Sequence, residues 1–178
     1  MNPLIALAAT SALLTGSVAA PEEVAKPPAQ ASVIGSAQIR FHYVPNDDIR
    51  FHFDVHAAPF TKPTPEAPKG LPTDARGTVR FSHRIGDTTY FADAAVDCLL
   101  TGGPSATLTA LITSTSHGQL PNGMRVGFSV LDGDQDRMGF SWGLADGTDL
   151  RPCLAPAPFA PAVRGGFTVR HADVPFPR

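Results

Sequence analysis

The sequence has few charged residues and no excess of basic ones. Charged side chains make up 17% of the 178 residues, and 14 Lys and Arg are set against 16 Asp and Glu, which leaves a formal net charge of −2. A general nucleic-acid-binding protein needs a basic face that contacts the phosphates. The charge balance therefore argues against that class of protein.

The chain also lacks a hydrophobic run long enough for a transmembrane helix, which needs about 20 apolar residues. No window shows the apolar stripe of an amphipathic helix. In contrast, Gly and Pro are abundant, with 16 and 18 residues. Because both residues interrupt regular structure, we expect many short strands joined by turns.

Cysteine is scarce as well, since Cys98 and Cys153 are the only two. Two cysteines allow a single pairing, and we predict that they form a disulfide. Disulfides persist in oxidising compartments, so this prediction implies an exported protein.

The first residues have the pattern of a secretory signal. Residues 2–20 carry no charged side chain, and an apolar stretch is followed by small residues, with Ser17 and Ala19 at the positions that signal peptidase selects. We predict a signal peptide over residues 1–19, a Pro/Ala-rich linker over 20–34 and a single all-β domain over 35–178. The expected location is secreted, extracellular or at the cell surface.

Apolar and polar residues alternate with a period of two in most of the remaining chain, which indicates half-buried strands. The predicted strands are 39–43, 49–55, 77–83, 88–98, 106–112, 126–130, 138–144 and 166–171. We predict an all-β fold, an antiparallel β-sandwich or partly closed barrel of about eight strands. The aromatic residues at inward positions are expected in its core: Phe41, Phe53, Phe128 and Trp142.

The first two predicted strands form a hairpin around the turn-forming residues 45–48. Keeping like faces together sets its register, because a shift of one residue exchanges the two faces. The predicted opposite pairs are Tyr43 with Phe51, Phe41 with Phe53, Arg40 with Asp54 and His42 with His52.

Two proline-rich segments, 57–74 and 152–161, are predicted to lie outside the regular sheet. Proline has no N–H group, so these segments cannot form inner strands. The predicted disulfide would attach residues 152–161 to the sheet at the end of the strand that contains Val96.

Three stretches, 49–56, 96–112 and 125–132 with its continuation 136–142, resemble small secreted actinobacterial proteins commonly labelled "repetin". They are more distantly similar to β-rich modules beside surface-anchor domains of secreted bacterial proteins. The resemblance covers roughly residues 35–171 and implies a secreted β-fold. It implies no established activity and no catalytic residues.

His52, Asp54 and His56 form the motif with the most evident chemistry. Strand periodicity places the three side chains on one face, and two imidazoles with a carboxylate are suitable ligands for zinc. The other interpretation is a solvated sheet face on which Arg40 pairs with Asp54 across the hairpin. The spacing favours the solvated face, because alternate residues of a strand lie about 6.6 Å apart.

A second acidic motif consists of Asp132, Asp134 and Asp136. It begins like a calcium loop, but the EF-hand pattern fails because Arg137 stands where glycine is needed and Gly143 where glutamate is needed. One interpretation is a looser calcium site in a β-turn. The alternative is a hairpin tip, since Asp and Gly favour turns.

Residues 139–143 match the G-x-S-x-G pattern of a serine hydrolase, with Ser141 as the nucleophile. That motif requires a strand, a sharp turn and a helix. Here it lies within an alternating strand and precedes another turn, so we interpret the match as a coincidence.

We therefore predict an exported, non-catalytic β-domain that binds an unknown protein or cell-surface ligand and needs no cofactor. The first alternative is a metal-binding secreted protein that uses His52, Asp54 and His56. The weaker alternative is a small secreted serine hydrolase.

Overall fold

The computed structural model describes residues 30–118, 120–141 and 150–176. The predicted signal peptide and residues 20–29 of the predicted linker lie outside these ranges. Within them the protein is all-β, as predicted. The strands are β1 Ser32–Ile39, β2 Asp48–Ala57, β3 Ala75–Ile85, β4 Thr88–Gly102, β5 Ser105–Thr115, β6 Arg125–Leu131, β7 Arg137–Phe140 and β8 Ala160–Arg170.

The eight strands form one closed, up-and-down barrel. Each strand pairs antiparallel with the next, and β8 pairs with β1 to close the sheet. The pairing between β7 and β8 is short and contains only Arg137 opposite Pro161 and Met138 opposite Ala160. No helix among the described residues is long and apolar enough to cross a membrane.

Inward side chains of all eight strands fill the barrel. In β2, Phe51, Phe53 and Val55 are buried and alternate with exposed polar residues. Phe53 and Phe128 are fully buried, and their rings meet edge to face with centroids 5.5 Å apart. The prediction that these two residues belong to the core is confirmed, whereas Phe41 is partly buried at one end and Trp142 lies outside the described residues.

The predicted register of the first hairpin is wrong. β1 begins at Ser32, inside the predicted linker, and ends at Ile39, which lies opposite Ile49. Phe41 and Tyr43 therefore belong to the connection and not to a strand. None of the predicted pairs forms, neither Tyr43 with Phe51, Phe41 with Phe53, Arg40 with Asp54 nor His42 with His52. The true partners of Phe51 and Phe53 are Ala37 and Gly35.

The physical reason is the size of the inward residues of β1. Opposite the large rings of β2, the barrel accommodates only Ala37 and Gly35, so the middle of β1 has no aromatic or β-branched residue at its inward positions. A side chain at Gly35 would collide with the backbone of β8, which passes on the other side. Because β1 packs closely between β2 and β8, small residues stand at its inward positions 35 and 37, and the alternation of large apolar residues that identifies other strands is missing there.

A β-bulge in β4 turns Cys98 away from the core. Val96 lies opposite Ala110 and Cys98 opposite Thr109, so Asp97 is an extra residue in β4. The bulge reverses the alternation, and Cys98 then forms its disulfide with Cys153 on the outer side. The predicted pairing is confirmed.

Residues 150–159, which we call the strap, cover the outer surface of β6 and β7. Ser129 donates a hydrogen bond to the carbonyl oxygen of Pro156. At Gly127 and Gly139 even a methyl group would collide with strap carbonyl oxygens. The strap therefore lies directly on two glycines of the barrel wall, and the disulfide attaches it, as the sequence predicted for residues 152–161.

β8 is longer than predicted, because it begins at Ala160 and not at Gly166, so the prediction that residues 152–161 lie outside the sheet is wrong for residues 160 and 161. Pro161 is tolerated next to the strand start, where a missing N–H group matters least. The other proline-rich segment, 57–74, forms no strand after Ala57, the last residue of β2. Its end is held by buried Asp74, whose Oδ2 accepts hydrogen bonds from the backbone N–H groups of Lys62 and Leu71 at 2.8 and 3.0 Å.

Candidate ligand-binding pocket

A cavity of about 490 Å³ lies at the end of the barrel where β1 leads into β2 and β3 into β4. Its inner wall consists of buried apolar side chains from four strands. These are Ile49, Phe81, Ala92 and Phe140. The connections between strands add Phe41, Val44 and Leu120.

The cavity reaches the protein surface through an apolar rim. Ile85, at the end of β3, is 50% exposed, and Phe91, near the start of β4, is 46% exposed. These two side chains therefore border the cavity where it opens to solvent. An eight-stranded barrel is just wide enough to be filled by side chains or to hold one small ligand. Here side chains fill the middle and leave space at this end.

His83 is a polar residue of the inner wall, and one nitrogen of its ring contacts a carboxylate. It continues the inward positions of β3 after Val79 and Phe81, and its ring lines the cavity. Its Nε2 lies 2.6 Å from Oδ2 of Asp47. An ionised carboxylate only accepts hydrogen bonds, so Nε2 carries the proton and donates it. Nδ1 has no hydrogen-bond partner among the described residues.

Three residues with hydroxyl groups line the same cavity, Ser82, Tyr90 and Thr115, and the last two occupy inward positions. Thr115 points inward because a bulge leaves Thr113 as an extra residue of β5 and places Thr115 opposite buried Ala92. Its Oγ1 accepts a hydrogen bond of 3.1 Å from the backbone N–H group of Gly118. Tyr90 lines the cavity from β4, and its hydroxyl forms no hydrogen bond within the described part of the chain.

Two cations near this end, Arg50 and Arg84, are engaged outside the cavity. Arg50 donates two hydrogen bonds to Asp48, at 2.8 and 2.9 Å, and Arg84 lies 3.8 Å from the same carboxylate. The hydrogen bond from Arg50 is the main reason why the pKa of Asp48 lies below its usual range. No Lys or Arg is among the described residues that line the cavity.

The His52, Asp54 and His56 side chains lie on the outer wall of the barrel, as the alternation of β2 predicted. The structure brings only two of them together. Nε2 of His56 lies 2.9 Å from Oδ1 of Asp54, whereas Nδ1 of His52 lies 2.7 Å from Oγ of Ser36. The predicted contact between Arg40 and Asp54 does not form. Among the described residues, no group of three His, Cys, Asp or Glu side chains is arranged to hold a metal ion.

We expect added zinc to leave the melting temperature of the protein and of its His52→Ala variant unchanged, because the three side chains do not converge. A zinc ion bound at 100 times its dissociation constant would stabilise the fold by about 2.7 kcal/mol. Differential scanning fluorimetry with and without zinc measures this. A zinc-dependent rise that disappears in His52→Ala would show that the side chains rearrange around the ion.

The acidic residues of the β6–β7 turn accept hydrogen bonds from β8. Oδ2 of Asp132 accepts from the backbone N–H group of Val169 at 2.9 Å, and Oδ2 of Asp136 accepts from that of Phe167 at 2.6 Å. The other oxygen of Asp136 accepts from Gly133. Asp134 takes no part in these bonds. Because β7 is too short to pair with the end of β8, the two carboxylates supply the missing acceptors.

Ser141 is buried beneath the strap and is only 3% exposed. Its Oγ accepts a hydrogen bond of 2.9 Å from the backbone N–H group of Gly127. No histidine among the described residues contacts it. A nucleophile elbow requires an exposed serine hydroxyl beside a base, and the structure gives Ser141 neither.

The sequence interpretation missed the pocket and its polar residues. The sequence could have indicated one of these residues, because the alternation of β3 places His83 on the same inward face as Val79 and Phe81. No sequence pattern predicts the inward position of Thr115, because that position depends on the bulge at Thr113. The space itself depends on how eight strand ends close around it.

Comparison with protein families, curated proteins and solved structures finds no match to this chain. Because folds of this kind serve many purposes, function must be inferred from the pocket.

Proposed function

We propose that this protein is an exported, non-catalytic binding protein that holds one small, mostly apolar molecule at the open end of its barrel. The observation that carries this proposal is the cavity of about 490 Å³ lined mainly by aromatic and aliphatic side chains. Ligand sites of proteins commonly have volumes of about 300–1,000 Å³, with few polar groups among apolar ones.

Binding is favoured over catalysis by the polar groups at the cavity. The imidazole of His83 is hydrogen-bonded to Asp47, and no described lining residue places a hydroxyl or thiol within hydrogen-bond distance of this imidazole. Nucleophilic catalysis needs such a pair. The polar groups are instead arranged to orient a ligand.

Export is supported by the apolar leader over residues 1–19 and by the disulfide, which is stable in oxidising compartments. The resemblance to secreted "repetin" proteins agrees with that location. We propose that the ligand is met outside the cell or at its surface.

Thr115→Trp should weaken the binding of N-phenyl-1-naphthylamine, a neutral fluorescent probe of apolar sites, at least about tenfold. The indole would occupy part of the cavity beside Ala92, which lies opposite residue 115, and would leave too little space for the probe. The increase in probe fluorescence on titration measures binding.

Thr113→Trp is the matched control. Thr113 lies two residues away on the outside of the barrel, and like Thr115 it forms one hydrogen bond to the backbone. We expect this variant to bind the probe as the parent protein does. Equal affinity in both variants, or no binding by the parent protein, would contradict the proposal.

A further inference from the structure

We infer that the pocket selects neutral apolar molecules that carry a hydroxyl group, an alcohol or a phenol, and that the hydroxyl donates its hydrogen bond to Nδ1 of His83. This inference rests on the proposed function and adds the chemical class of the ligand. It follows from the direction of the hydrogen bond to Asp47, the charges around the cavity and the other polar atoms of its wall.

Asp47 determines which nitrogen of His83 is available. The 2.6 Å contact between Nε2 and the carboxylate places the proton on Nε2. In the neutral imidazole, Nδ1 then has a lone pair and can only accept a hydrogen bond. A ligand that matches this atom must supply a donor. A hydroxyl group does so, whereas an ether or a ketone leaves two acceptors facing each other.

The charges disfavour an anionic ligand. No Lys or Arg is among the described lining residues, and Arg50 and Arg84 both lie at Asp48 instead. The carboxylate of Asp47 lies next to His83 and would repel a second carboxylate. A buried charge without a partner is costly. The pocket therefore favours a neutral head group over a carboxylate.

Two hydroxyl groups at inward positions can complete the contacts of the ligand oxygen. Tyr90 and Thr115 line the same cavity, and both can donate a hydrogen bond. The oxygen of an alcohol or phenol donates one hydrogen bond and accepts up to two, so it matches one acceptor and two donors. The rest of the wall is apolar and suits a hydrocarbon or aromatic body.

Three biphenyls that differ only in the polar group test this inference. They are 4-phenylphenol, 4-methoxybiphenyl and biphenyl-4-carboxylate, each measured by displacement of N-phenyl-1-naphthylamine in near-neutral buffer. We expect the phenol to bind at least about fivefold more tightly than the methyl ether, which corresponds to one net hydrogen bond. The carboxylate should bind most weakly.

His83→Phe should remove the preference for the phenol over the ether, because the phenyl ring has no hydrogen-bond acceptor; the two competitors are compared within the same variant, so the result does not depend on how tightly that variant binds the probe. His52→Phe, the same substitution on the outer wall, should keep the preference. Asp47→Ala should reduce the difference between phenol and carboxylate, because it removes the repelling charge. This second variant also tests the inference if His83→Phe does not fold.

The outcomes separate the two proposals. If the parent protein does not bind the probe, both the proposed function and this inference are wrong. If the probe binds but phenol and ether compete equally, or if the preference survives in His83→Phe, only the inference about the hydroxyl group is wrong.

Discussion

Replacing Cys98 and Cys153 together by alanine will lower the free energy of unfolding by about 4 kcal/mol. The disulfide closes a loop with a sequence separation of 55 residues, and its loss increases the conformational entropy of the unfolded chain. For a domain of this size, the melting temperature should fall by roughly 10 °C. The strap also loses its covalent attachment to β4.

Chemical denaturation of the parent protein and the double variant measures this effect. The parent protein treated with a reductant should approach the stability of the variant, and the variant should not respond to the reductant. The affinity for N-phenyl-1-naphthylamine should remain within about twofold, because the pocket lies at the barrel end and not beneath the strap. A loss of less than about 1 kcal/mol would show that noncovalent contacts alone hold the strap.

Phe128→Ala will destabilise the protein by about 4 kcal/mol, because it removes a fully buried ring from the centre of the barrel. The ring of Phe128 lies 5.5 to 6.2 Å, centroid to centroid, from those of Phe53, Phe81 and Phe51. The neighbouring strands are joined on both sides by the closed sheet, so they cannot collapse fully into the space. Urea denaturation measures the loss.

Phe91→Ala is the control for this experiment. Phe91 is half exposed at the rim of the pocket, so the same substitution should cost less than about 1 kcal/mol. It should weaken probe binding instead. If Phe91→Ala destabilises the protein as much as Phe128→Ala, the rim is part of the core and the pocket is not open as described.

Much of the fold could be predicted from local pattern. Strands with large inward residues show this pattern. Phe51 and Phe53 in β2 alternate with exposed polar residues, whereas in β6 the residues between Val126, Phe128 and Val130 are small and are also buried. The two proline-rich segments were recognised because proline cannot donate a backbone hydrogen bond. The register of β1 could not be predicted, because its inward Gly35 and Ala37 are determined by the large side chains of another strand.

The candidate site was predicted less well, for a related reason. The period of two correctly predicted that His52, Asp54 and His56 lie on one face. Their hydrogen-bond partners could not be predicted, because these depend on the neighbouring strands. Asp132 and Asp136 suggested a calcium loop, and their actual acceptor role depends on β8, about 30 residues later in the chain. Such contacts have no local sequence signal.

The sequence by itself determined the all-β class, the number of strands and the pairing of Cys98 with Cys153, because alternation and cysteine count are local properties. The tertiary structure decided the closure of the barrel, the bulges and the pocket around His83. A bulge exchanges the faces of a strand, and a cavity forms only where strand ends from distant parts of the chain meet. These features depend on packing between strands, which the pattern within one strand does not contain.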